Sequence, residues 1–143
     1  MKRKRIGKIL FSLWIVTLAF ISIAGITASA GNTTLRQHTF TFPRETSSTQ
    51  NSQNYVKETK SNVGVTCTQS AMSFKISAYY QVPGGKKTST APHVYIKQGQ
   101  TLQLSWGNTI AGPNVFGGVK GRNDNAQIPY SWTATVQFQM DLH

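Results

Sequence analysis

The side chains able to do acid–base, nucleophilic or metal chemistry are few: one cysteine, three histidines and four acids in 143 residues. Hydrolysis needs a positioned acid–base pair or an activated nucleophile. Glu45 and Glu58 flank a polar stretch, Asp124 lies among turn residues and Asp141 stands near the C-terminus, so no two acids form a paired-carboxylate pattern. His38, His93 and His143 are far apart and lack the short spacing of a metal site. A Cys67–His93 pair would form only if the fold brought the two together. Cys67 is in phase with Val63 and Val65, the pattern of a small buried hydrophobe. Asn123-Asp124-Asn125 offers oxygen atoms, but a calcium loop needs more acids at regular spacing. These residues read as a turn. The expectation is a protein that is not an enzyme and holds no metal or cofactor.

Binding chemistry has better material. Tyr79 is out of phase with Phe74, Ile76 and Tyr80, and Tyr95 is out of phase with Val94 and Ile96. Trp106 ends an alternating run beside Gly107-Asn108, and Tyr130 follows Pro129. Exposed aromatic rings stack on sugars or enter a partner's pocket. With the adjacent pair Lys86 and Lys87, and with Arg122, these four aromatics are the expected ligand-binding residues.

The elements that must position them are dominated by period two. Phe74, Ile76, Ala78 and Tyr80 alternate with Ser73, Lys75, Ser77 and Tyr79; Leu102, Leu104 and Trp106 alternate with Thr101, Gln103 and Ser105. Trp132, Ala134, Val136, Phe138 and Met140 alternate with Thr133, Thr135, Gln137 and Gln139. Apolar-in, polar-out alternation marks half-buried antiparallel strands. Gln98-Gly99-Gln100 reads as a tight hairpin turn between neighbouring strands. Gly112-Pro113-Asn114 and Gly117-Gly118 read as a long turn-rich connection. No segment carries a sustained helical stripe. The expected fold is an all-β antiparallel sandwich of six to seven strands, with a small β-barrel as the alternative.

The N-terminus reads differently. Five cationic side chains in the first eight residues precede an apolar run from Ile9 to about Ile26. The run ends in Thr27-Ala28-Ser29-Ala30, and Gly31 opens a polar segment. This is the secretory pattern, with cleavage between Ala30 and Gly31 directed by the small residues Ala28 and Ala30. The expected organisation is a helical signal peptide over 1–30, a polar arm or linker over 31–54 and a β-sandwich domain over 55–143. His38–Phe42 can form a first strand within that arm, whereas the nine uncharged polar residues from Thr46 to Asn54 read as a flexible loop. The expected location is extracellular. The alternative keeps the apolar run, long enough to span a bilayer, as an uncleaved anchor.

Removing 1–30 takes five of the fifteen Lys and Arg, leaving ten cations against four acids, a net charge of +6. That charge suits an anionic cell-wall polymer, glycan or envelope surface. Nucleic acid is not expected, because no basic helix or recognition motif is present. Membrane contact is expected only through the signal peptide before cleavage. One cysteine excludes an internal disulfide, so packing must stabilise the domain.

The order Lys97-Gln98-Gly99, Lys120-Gly121-Arg122-Asn123-Asp124-Asn125 and Tyr130-Ser131-Trp132-Thr133 resembles a family of small secreted Gram-positive proteins. That resemblance implies a signal peptide and one β-rich domain; it implies no activity. Val94–Leu102 resembles the opening of a LysM peptidoglycan-binding module. The helix pair that follows in such a module is absent here, and its function is not carried over. The sequence therefore points to a secreted, non-enzymatic binding protein. The alternative is a bacteriocin-like or toxin-like effector, against which stands the lack of an amphipathic helix in the mature chain.

Overall fold

The structure is a computed structural model that describes residues 32–107 and 109–142. The expected signal peptide, with Ala28, Ala30 and Gly31, lies outside the described residues. Ten strands follow in order: β1 (Arg36–Phe42), β2 (Ser48–Asn51), β3 (Tyr55–Lys57), β4 (Val63–Ser70), β5 (Phe74–Gln81), β6 (Thr88–Ser89), β7 (Val94–Ile96), β8 (Thr101–Leu104), β9 (Gly112–Asn123) and β10 (Trp132–Gln139). One sheet runs β1-β10-β4-β8; the other runs β2-β9-β5-β6, with β3 also on β9 and β7 also on β5. Every pairing is antiparallel. The expected all-β antiparallel architecture is present, with more strands than six or seven because short edge strands and β9 add to the alternating runs.

Alternation builds the core. Phe40 and Phe42 from β1, Val63, Val65 and Cys67 from β4, Phe74 and Ile76 from β5 and the even residues of β10 are all buried between the sheets. Phe42 packs on Trp132 at 4.5 Å between ring centres and on Phe74 at 5.7 Å, joining the two sheets through aromatic contact.

Three readings need correction. Gly112–Asn123 is not a connection but the longest strand, and it is central in its sheet. From Val115 onward its odd positions face the core. At Gly121 a Cβ would come within 2.9 Å of the Phe40 ring, and at Gly117 within 2.7 Å of Met140 and 2.8 Å of Trp106. The glycines are there to admit large neighbours, not to turn the chain.

Gln98-Gly99-Gln100 does reverse the chain, with Gly99 at φ 82° and Gln100 N donating to Lys97 O. It does not close a hairpin, because β7 pairs with β5 while β8 pairs with β4. The turn carries the chain from one sheet to the other.

The polar stretch before Asn54 is also partly strand. β2 pairs with the far end of β9, and the Gln50 side-chain amide bonds both the N–H and the carbonyl of Thr41. Ser52 N–H donates to Val119 O, and Val119 N–H to Ser52 Oγ. Hydrogen bonds hold this segment where apolar burial cannot.

The outward faces of the sheets differ. The first sheet presents neutral side chains such as Thr39 beside Thr135 and Thr66 beside Thr101, each pair joined by hydroxyls 2.9 Å apart. The second presents cations.

Candidate functional site

The site is built by register. Residues directly opposite on neighbouring strands point to the same face. Lys75 lies opposite Arg122 on one side and Tyr95 on the other, so β9, β5 and β7 place Arg122, Lys75 and Tyr95 in one row. Phe74 and Ile76 point into the core, which turns Lys75 outward. Asp124 follows the end of β9 and closes the row. Its carboxylate takes Lys75 Nζ at 2.6 Å and Arg122 Nε on the other oxygen. The turn carrying it is fixed by side-chain amides: Asn125 N–H donates to Asn123 Oδ1 and Gln127 N–H to Asn125 Oδ1, each at 3.0 Å.

Lys75, Tyr95, Arg122, Asn123, Asp124 and Asn125 line an open cleft of about 420 Å³. Tyr95 is 65% exposed at its rim, with Lys75 Nζ 5.2 Å from the ring centre. The hydrogen bond from Lys75 lowers the Asp124 pKa and raises that of Lys75, so both stay ionised near neutral pH. One register step along, Lys120 lies opposite Ser77 and Asn51. Burial, then the charge of Lys87, lowers the Lys120 pKa. Burial also lowers that of His93, with Lys120, Arg122 and Lys75 adding to the effect and Asp124 opposing it. The arrangement offers several fixed N–H donors, one aromatic face and an excess of positive charge. It suits capture of an anionic or sugar-bearing group.

A scan against protein-family models finds no match, and neither does a search of curated proteins. Among solved structures, the crystal structure of PirA is similar at a TM-score of 0.44 and 13% identity, over 71% of this chain and 92% of that one. A likeness at that level carries no functional argument.

The structure divides the expected ligand-binding residues. Tyr95 and Arg122 line the cleft. Tyr130 is 54% exposed but does not line it, and Lys86 is exposed just after the Pro83–Gly85 turn, also outside it. Tyr79 does point to the outer face, as its phase requires, yet it is fully buried. Segment 52–54 covers it, with the Tyr79 hydroxyl 2.8 Å from Ser52 O, and Lys87 Nζ lies 4.8 Å from its ring centre. Burial pushes the Tyr79 phenol up to about 12. Lys87 is occupied there and also donates to Ser52 O at 3.3 Å. Trp106 is wholly buried, its Nε1–H donating to Ile110 O at 3.1 Å. Neither Tyr79 nor Trp106 can touch a ligand. Lys75, Lys120, His93 and Asp124 were not expected at the site. The outward phase of Lys75 was readable, but its two partners depend on pairings between distant segments.

Proposed function

We propose that this protein is a secreted, non-enzymatic binding protein that holds an anionic polymer or glycan of a cell surface in the cleft of the second sheet. The observation that carries this reading is the cross-strand row of Arg122, Lys75 and Tyr95, two cations beside an exposed ring. The leading run of cations and apolar residues supports export. Cys67 is placed unlike a catalytic thiol. It is buried, and burial pushes its thiol up, away from the thiolate that a nucleophile needs.

Binding of the purified protein to isolated cell walls tests the proposal. Arg122→Ala or Lys75→Ala is expected to weaken binding about tenfold, equivalent to about 1.4 kcal/mol. Raising the salt concentration is expected to weaken the native protein in the same direction, because the site is exposed and screened. Binding that ignores both changes would remove the cleft from the explanation.

A further inference from the structure

The cleft holds an acid among its cations, and that acid narrows what the cleft can take. Lys75 and Arg122 against Asp124 leave a single net positive charge, enough to balance one monoanion. Arg122 spends Nε on one oxygen of Asp124, and Lys75 Nζ takes the other at 2.6 Å. Among the described residues, the terminal amines of Arg122 meet no acceptor, and its side chain is 47% exposed. The open side of the guanidinium is a planar fork that matches the two oxygens of a carboxylate.

The same cleft also offers acceptors. A carboxylate has about four lone-pair sites, and Lys75 and Arg122 occupy only two of those on Asp124. The exposed Ser73 hydroxyl lines the cleft as well. Asn125 spends its side-chain oxygen on Gln127 N–H, which leaves its amide nitrogen to donate. Tyr95 adds an exposed ring to the lining. The complement of this set carries one charge and several hydroxyls on the same unit, together with an apolar face. A phosphodiester backbone carries a charge on every unit and brings few hydroxyl donors for Asp124. A neutral sugar brings the hydroxyls and leaves the Arg122 fork unused.

We propose that the cleft recognises an acidic sugar, a pyranose ring bearing one carboxylate, within a glycan. The carboxylate sits on the Arg122 fork, ring hydroxyls donate to Asp124, and the C–H face of the ring rests against Tyr95. Lys75 positions Asp124 from below. This names the ligand of the cleft and rests on the reading of the cleft as a binding site.

The test compares binding of the purified protein to four polymers. Polygalacturonate carries rings and carboxylates, polyacrylate carboxylates without rings, dextran rings without charge, and poly(glycerol phosphate) phosphodiesters. Polygalacturonate is expected to bind at least tenfold tighter than each of the others. Arg122→Lys keeps the charge and loses the fork, and is expected to weaken polygalacturonate about tenfold. Asp124→Asn separates recognition from simple attraction. It raises the net charge of the cleft, so polyacrylate is expected to bind more tightly, while polygalacturonate weakens several-fold because its hydroxyls lose an ionised acceptor. Both residues are exposed, so the variants fold. Equal or tighter binding of any of the other three polymers overturns the acidic-sugar assignment, as does tighter binding of polygalacturonate to Asp124→Asn. The cleft reading survives either result if Arg122→Ala still weakens binding to cell walls. Wall binding unchanged in Arg122→Ala and Lys75→Ala removes the cleft, and the acidic-sugar assignment falls with it.

Discussion

Asp141 shows how far a few donors can carry a buried charge. Its side chain is fully enclosed with Lys57, whose Nζ lies 2.6 Å away. It also accepts Thr59 Oγ1 at 2.7 Å and the backbone N–H groups of Asn32, Glu58 and Thr59. Burial opposes its ionisation, but the hydrogen bonds from Lys57, Thr59 and Asn32 outweigh it and hold the pKa at about 2. A carboxyl depressed on folding stabilises the protein above its unfolded value and loses that contribution as pH falls through its folded value. Denaturation at pH 7 and near pH 2 should therefore differ by about 2 kcal/mol from this group, and Asp141→Asn should flatten that difference. Asp141→Ala should cost about 3–5 kcal/mol, because Lys57 is left buried and unpaired. Lys57→Met should cost less, since Asp141 keeps its other donors. A larger loss for Lys57→Met would contradict this ordering. None of this was readable at Asp141 itself, a lone acid near the end of the sequence whose partners lie more than 80 residues away.

At the level of elements, β9 is the instructive case. Periodicity is a signal carried by side chains, and β9 has glycine at two of the inward positions where an apolar residue would have announced a strand. Val115, Gly117, Val119, Gly121 and Asn123 share one face, all buried, so the phase is regular although the chemistry is not. β10 was legible because Trp132 to Met140 keep both phase and bulk. The Gln98–Gln100 turn was legible as a reversal. Its partners were not, because the choice of sheet rests on which inner face each strand completes. Tyr79 failed for a related reason: its direction was readable, but the cover supplied by segment 52–54 was not. Gly121→Ala places a methyl group against the Phe40 ring and should cost about 1–3 kcal/mol in urea denaturation, with Phe40→Leu recovering part of the loss in the double variant. A neutral Gly121→Ala would show that the ring yields freely.

Across the whole molecule, the two sheets divide labour by charge. One outer face is neutral threonine and glutamine, and the other gathers Lys75, Lys120 and Arg122. The first and last described segments are also sorted. Lys57 pairs with Gly112 at the start of β9, and Asp141 holds both Lys57 and Asn32, so the N-terminal approach is fastened beside the start of β9. Arg122 lies near the other end of that strand, about 33 Å further along its path at about 3.3 Å per residue. Attachment to a sensor through a tag ahead of Asn32 should preserve capture of polygalacturonate. Attachment through the thiol of a Tyr95→Cys variant should abolish it, and equal capture from both would place binding elsewhere. By fastening Asn32 beside the start of β9, Asp141 sets the N-terminal approach at the opposite end of that strand from Arg122, so that under the proposed reading a protein tethered there would present its cleft outward.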